Sequence, residues 1–413
     1  MISAPTKKTY LNIALVLGLL VYLYFESANR GDFNIFIEAS KSLFKKENIY
    51  EITYFDGFHY YYSILFAILI YPLTFLSFHA ANFVWLSINV IFLYRLYVLF
   101  NQFYGIKLLS KKQQNVFWWL TLLFSARLVL ENMHVGQMTI CLLYLCLEGL
   151  HQINQQKTVK GSALIALGIN IKLMPLVILP YLIYRAYFKA SLFIILFYAL
   201  LFFLPLLFIG YDYNNQLITS WFNLINPTNT RHILDVGERS FHGLSTLLSV
   251  LLIENTGEQF ILNIKRNILN LTLEQLKLAL LITRLALVSF TLYFIRSLPF
   301  KSSNGNQQIW EFSYILLLIP LIFPHQQHYA FLFIIPAYAY CLLQIITHYH
   351  LFSKPLKVIL ISSMSIIYIL VNLNLLIGEY KPYYEHFKIL TFGALFLIPV
   401  LAYLHPKTVK KLA

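Results

Sequence analysis

The stretch at residues 60–78, YYYSILFAILIYPLTFLSF, decides how this chain is read. It is apolar and long enough to cross a bilayer, which takes roughly 20 residues of helix. If it crosses, the basic loop carrying Lys107, Lys111 and Lys112 falls on the outer face. If it lies in or along the outer interface, the apolar run 80–104 goes inward and that loop is cytoplasmic. The second choice also puts Lys157/Lys160, Arg185/Lys189, Arg296/Lys301, Lys354/Lys357 and Lys407/Lys410/Lys411 inside. Short loops rich in Lys and Arg stay on the cytoplasmic side. One assumption satisfies every short loop, so 60–78 is placed at the interface.

Composition supports a membrane reading. The 413 residues are 59% hydrophobic and 12% charged, against about 25% charged in soluble domains. Apolar runs recur from end to end. The net charge of +14 sits in the short loops and therefore reports topology, not nucleic-acid binding. Cys141, Cys146 and Cys341 lie inside apolar runs and imply neither a disulfide framework nor a metal site. No linker and no strong internal repeat breaks the chain, so 1–413 reads as one integral domain.

Lys7 and Lys8 place the N-terminus in the cytoplasm. The apolar run 10–25 that follows lacks a convincing cleavage site and is kept as an anchor. Beyond the spans 9–26 and 80–104, crossings are expected at 115–133, 138–153, 161–171, 173–184, 188–209, 275–298, 310–323, 329–349, 355–377 and 387–404. The expected architecture is an all-α polytopic membrane protein with about twelve crossings and both termini cytoplasmic. Two spans, 161–171 and 173–184, are too short to cross alone. They meet at NIKLMP, 170–175. Such a break is tolerated only where it is buried in protein or lines a watery cavity. Polar residues gather on the outer side, in a first loop 27–79 and a long loop 210–274, so chemistry is expected there.

Several residues in these places could do chemistry. Asp32 is the first acid after the first helix. Phe33, Phe36, Ile37, Leu43 and Phe44 follow it at helical spacing, which reads as an interfacial helix. Asp32 suits an N-cap of that helix or a general base. Lys172 sits at the tip of the broken pair, either snorkelling to the interface or holding an anion such as a phosphate. His325 and His328 flank Gln326 and Gln327 in a polar turn that could hydrogen-bond a phosphate or sugar; no further ligand suggests zinc. Gln137 follows Gly136 at a turn between two helices. GERSFHG, 237–243, offers Arg239, Ser240 and His242. No nucleotide loop, Ser-His-Asp order or Rossmann fingerprint is seen.

In order along the chain, these features resemble the family 87 glycosyltransferases. These are membrane enzymes of the GT-C class that include polyprenyl-phosphomannose-dependent mannosyltransferases. The resemblance rests on Asp32 with ENIY ending at Tyr50, on HYYYSILFAILIYPL, on Gly136-Gln137, on Lys172 with Pro175, on ERSF and on PHQQHY. ERSF departs from the usual Asn-Gln-Ser-Leu, and a Pro usual near the start of the Tyr-rich segment is missing. The resemblance implies a GT-C fold and a sugar donor carried on polyprenyl monophosphate. The acceptor is a lipid or glycan, and the site faces the outside of the cytoplasmic membrane. It implies Asp32 as general base in an inverting displacement, with Lys172, His325, His328 and Arg239 at the donor phosphate. Gln137, Tyr50, Tyr61 and Ser240 would contact substrate. No cofactor or metal is required. The segments 33–46 and 60–78 would form a groove for lipid and acceptor. The rivals are a polyprenyl-phosphate or small-anion transporter and a non-catalytic binder of lipid-linked sugars. Neither needs an acid at position 32.

Overall fold

The computed structural model describes residues 7–226, 229–256, 262–295, 299–301, 303 and 305–412. Arg296 of the basic clusters, and residues 227–228 and 257–261 of the long outer loop, lie outside them. Helices are the main regular element of the described residues, which form no strand. An isolated β-bridge joins Phe241 to Gln327.

Residues 60–78 do not form a spanning helix. The Ser63 hydroxyl accepts from the Phe66 N–H and starts the helix Ile64–Ile70. Tyr71–Phe75 then tightens into a 3₁₀ turn with proline in its first turn. Ile64–Phe75 together rise about 20 Å, short of a hydrocarbon core of roughly 30 Å. Ser77 caps the next helix, Phe78–Phe103, which is 26 residues long.

Five helices among the described residues are long and apolar enough to cross a membrane: Phe78–Phe103, Lys111–Val135, Phe188–Ile209, His328–Leu351 and Lys354–Leu375. A sixth is added if Gly378–His386 and Ile389–Tyr403, bent by 66°, count as one span. The protein is therefore an all-α membrane protein. The expected twelve crossings go beyond these helices, because segments such as Thr158–Ile171 and Met174–Tyr184 are apolar but short.

Two expectations about exposure are corrected. The helix Asp32–Phe44 does not lay its apolar face on lipid. Phe33, Phe36, Ile37 and Leu43 are buried in the protein, and only Phe44 of that set is exposed. Phe33 stacks on Trp85 at 5.5 Å between ring centroids, and Phe36 meets Tyr62 and Phe66 edge-on at 4.8 and 5.1 Å. Aromatic packing of this kind fixes orientation as well as burying area. Arg185, expected as a loop charge, is also buried. Its guanidinium is paired with the buried Glu311, which Tyr181 and Ser303 also contact at 3.1 and 3.0 Å. A buried charge is tolerable only when paired and hydrogen-bonded in this way. The three cysteines are free and buried.

The helix break at 172 is present. Thr158–Ile171 ends on Lys172, whose backbone is extended at φ −149° and ψ 130°. Helical geometry resumes as a 3₁₀ turn at Met174–Val177, with proline in its first turn. A residue before Leu-Met-Pro thus leaves the helix and turns its side chain away from the axis.

Candidate active site

Two glycines bring the start of the helix Asp32–Phe44 against the end of Lys111–Val135. A Cβ on Gly31 would lie 2.7 Å from Val135 Cα and 2.8 Å from its carbonyl oxygen. Gly136 has φ +64°, and a Cβ there would meet Phe33 Cβ at 2.7 Å. Only glycine allows that approach and that left-handed turn. The contact sets Gln137 beside Asp32.

Gln137 is held so that one end faces the acid. Its Oε1 accepts from the Tyr62 hydroxyl at 2.5 Å and from the Met138 N–H at 2.7 Å. Its Nε2 therefore points the other way and donates to Asp32 Oδ2. Two donors on the amide oxygen fix which way the group is turned. Asp32 does not cap its helix: it is the first helical residue, Gly31 stands at the cap, and no side-chain cap bond is made. Burial pushes the Asp32 carboxyl up to about 6, against the opposing effects of Lys172 and of the Tyr329 hydroxyl. Its ordinary value is near 3.8.

Asp32 and Lys172 both line a cavity of about 580 Å³. Lys172 Nζ lies 5.1 Å from the Tyr62 ring centroid, a cation–π contact. Among the described residues its ammonium makes no hydrogen bond or ion pair. Ile35, Phe36, Leu173, Met174, Phe222 and Phe323 give the cavity an apolar wall, and Tyr61 and His325 also line it. A second cavity, about 550 Å³, opens among Gln102, His151, Gln152, Lys157 and Gln308. It carries no acid, so nothing there could act as a carboxylate base.

His325 adopts φ +56°. Its N–H donates to both oxygens of Asp235, at 2.9 and 3.1 Å. Asp235 is fully buried and also accepts from the hydroxyls of Ser245 at 2.6 Å and Thr246 at 2.9 Å. The His325 Nδ1 lies 2.8 Å from Asp235 Oδ1, in ion-pair range but at an angle too poor for a hydrogen bond. His232 packs on the His325 ring at 4.4 Å. Burial, then the neighbouring His325, hold the His232 imidazole below its ordinary range.

The structure thus gathers Asp32, Lys172, Tyr61 and His325 around one cavity, with Gln137 behind Asp32. The other expected site residues stand elsewhere. Arg239 does not line the cavity and is ion-paired to Glu385 at 2.6 Å. His328 also lies off it, its Nε2 3.7 Å from Glu385 Oε1. Both face Glu385 in the segment Gly378–His386, away from the cavity lining. Ser240 donates to Glu238 Oε2 at 3.1 Å. Tyr50 is buried and donates to the Tyr62 carbonyl at 2.9 Å, which braces the strand of chain carrying Tyr61 and Tyr62. Residues the sequence reading passed over line or shape the cavity: Glu238, Tyr62, His232 and Tyr329 line it, and Asp235 holds His325. For Glu238 and Asp235 alone there is a signal in the sequence, as acids in an acid-poor chain with 17 Asp and Glu in all.

An acid and an ammonium thus share one apolar-walled cavity in a helical membrane protein. The model of glycosyltransferase family 87 matches residues 60–324, and the chain belongs to that family. The protein is a glycosyltransferase. The matched region begins after Asp32 and Tyr50 and ends just before His325 and His328. Neither the curated proteins nor the solved structures gave a match.

Proposed function

We propose that the protein transfers a hexose or pentose, such as mannose, from a polyprenyl monophosphate to a hydroxyl of a lipid or glycan acceptor. The observation that carries this reading is the shared cavity of Asp32 and Lys172, with its apolar wall. A prenyl chain suits the wall, the phosphate suits an ammonium that makes no hydrogen bond or ion pair among the described residues, and a carboxylate suits proton removal from an acceptor. In the reaction, the acceptor oxygen attacks the anomeric carbon while its proton passes to Asp32. The bond from that carbon to the phosphate oxygen breaks, and polyprenyl phosphate leaves with its charge facing Lys172. Displacement from the opposite face inverts the sugar carbon. His325, held by Asp235, adds a hydrogen-bonding group at the same cavity.

The test is purified protein in lipid, given a panel of radiolabelled polyprenyl-phosphate sugars, with membrane extract as acceptor source. Label moving into an acceptor from at least one donor is expected. Label moving from none of them removes the reading.

We further propose a GT-C arrangement with about twelve crossings, both termini cytoplasmic and the cavity open to the outer face of the cytoplasmic membrane. The motivation is the placement of the short basic loops. Lys111 and His134 are exposed at opposite ends of the helix Lys111–Val135. The native cysteines are buried, so single added cysteines report cleanly. A membrane-impermeant thiol reagent added outside should label His134→Cys and spare Lys111→Cys. The reverse pattern would invert the whole topology.

A further inference from the structure

Asp32 and Lys172 account for only part of the cavity's polar lining. The loop 235–243 and the turn 324–329 supply more of it. These two are locked together by the Phe241–Gln327 bridge and by the His242 N–H, which donates to the Gln326 carbonyl at 2.7 Å. Glu238 and Gln326 both line the cavity from this locked pair.

Each of them has an oxygen to spare. Glu238 Oε2 accepts from Gln327 Nε2 and from Ser240 Oγ. Its Oε1 receives no hydrogen bond among the described residues. Gln326 is 3% exposed and gives its Nε2 to the Pro324 carbonyl at 2.6 Å, while its Oε1 has no hydrogen-bond partner among the described residues. Buried polar atoms are nearly always paired, so an unpaired one beside a cavity asks for a ligand group. Resting on the reading given under Proposed function, we infer that Glu238, with Gln326 beside it, recognises a ring hydroxyl of the transferred sugar and sets which sugar is accepted.

The chemistry of the two ends separates the parts of the donor. A phosphate belongs at the Lys172 ammonium, and a prenyl chain belongs on the apolar wall. The group left for Glu238 is neutral and rich in hydroxyls. The anomeric carbon must sit between the acceptor oxygen at Asp32 and the phosphate at Lys172, so the transferred ring is the sugar within reach. Burial, with the charge of Asp32 nearby, pushes the Glu238 carboxyl up to about 8. It therefore keeps its proton at neutral pH, and a protonated carboxyl both donates and accepts. A sugar hydroxyl does the same, so the two are matched.

The test uses the full chain in lipid nanodiscs, with synthetic polyprenyl phosphates carrying mannose, glucose or galactose, and the single-deoxy version of each ring position. Membrane extract supplies the acceptor, and kcat/KM is measured for each donor. In the wild type, one deoxy position should cost about a hundredfold or more, the signature of a hydroxyl read by buried polar groups. In Glu238→Gln, which keeps the side-chain shape, that penalty should shrink by at least about tenfold while the other positions keep theirs. Glu238→Ala should remove it. If both variants slow every donor equally and leave the deoxy penalties unchanged, Glu238 only braces the loop and the inference fails, with the transferase reading intact. If the wild type uses no polyprenyl-phosphate sugar at all, the reading fails and takes the inference with it.

Discussion

Replacing Asp32 by asparagine is expected to cut transfer by about a hundredfold or more, the scale on which a positioned general base acts. The loss should appear in single turnovers from pre-bound donor, where donor affinity has no influence. Thermal stability should not fall. Asp32 makes no cap bond in its helix, and asparagine can still accept from Gln137 through its side-chain oxygen. The sign of the charge effect agrees. A carboxyl raised to about 6 in the folded protein, above its unfolded value, favours folding only in its protonated form. That contribution is present at low pH and is lost as pH rises through about 6. At pH 7.5 the ionised acid is therefore a net cost, and a neutral isostere removes it. The same raised value predicts the wild-type pH profile. The single-turnover rate should fall on the order of tenfold per pH unit below about pH 6, well above the point where an unperturbed aspartate would lose activity. Near-normal turnover by Asp32→Asn, or a rate flat down to pH 4.5, would remove Asp32 from the reaction.

Lys172→Ala should weaken donor binding on the order of ten- to a hundredfold, because one charge-assisted contact to phosphate is worth roughly 1.5–3 kcal/mol. Lys172→Arg should keep part of the affinity. The alanine variant should also move the acid limb of the pH profile upward. Lys172 is the charge that lowers the Asp32 carboxyl against the effect of burial, and its removal leaves burial unopposed. Two readouts of one substitution thus report two different contacts. Unchanged donor affinity in Lys172→Ala would mean that the ammonium does not meet the phosphate.

How much of this was legible beforehand depends on the range of the interaction concerned. Helix positions follow from local hydropathy, and the break at Lys172 follows from a short pair of apolar runs ending in Leu-Met-Pro. Residues 60–78 were read as non-spanning from the charges of distant loops, and they form only a seven-residue helix and a 3₁₀ turn. Asp32 and Lys172 stood out because charged residues are scarce in an apolar chain and costly near a membrane. The same logic misjudged other charges. Arg239 and His328 were given to the phosphate, yet Glu385, some 57 to 146 residues away, faces both. Nothing in either local sequence announces that partner. Arg185 looked like a loop charge until Glu311 was seen beside it.

What the sequence by itself determined was the class: an all-helical membrane protein of glycosyltransferase family 87, with one acid soon after the first helix and one cation at a helix break. Its information is local periodicity and charge density, and these suffice for elements and for rare residues. The tertiary structure decided which polar groups meet. It set Asp32 in a cavity wall and not at the cap of its helix, because Gly31 and Gly136 let two helix ends touch and Gln137 take hold of the acid. It also brought Asp235 under His325 and set Glu238 in the same cavity as Asp32 and Lys172. Such partners are chosen by close packing between segments far apart in the chain, and packing at that range leaves no mark in either segment alone.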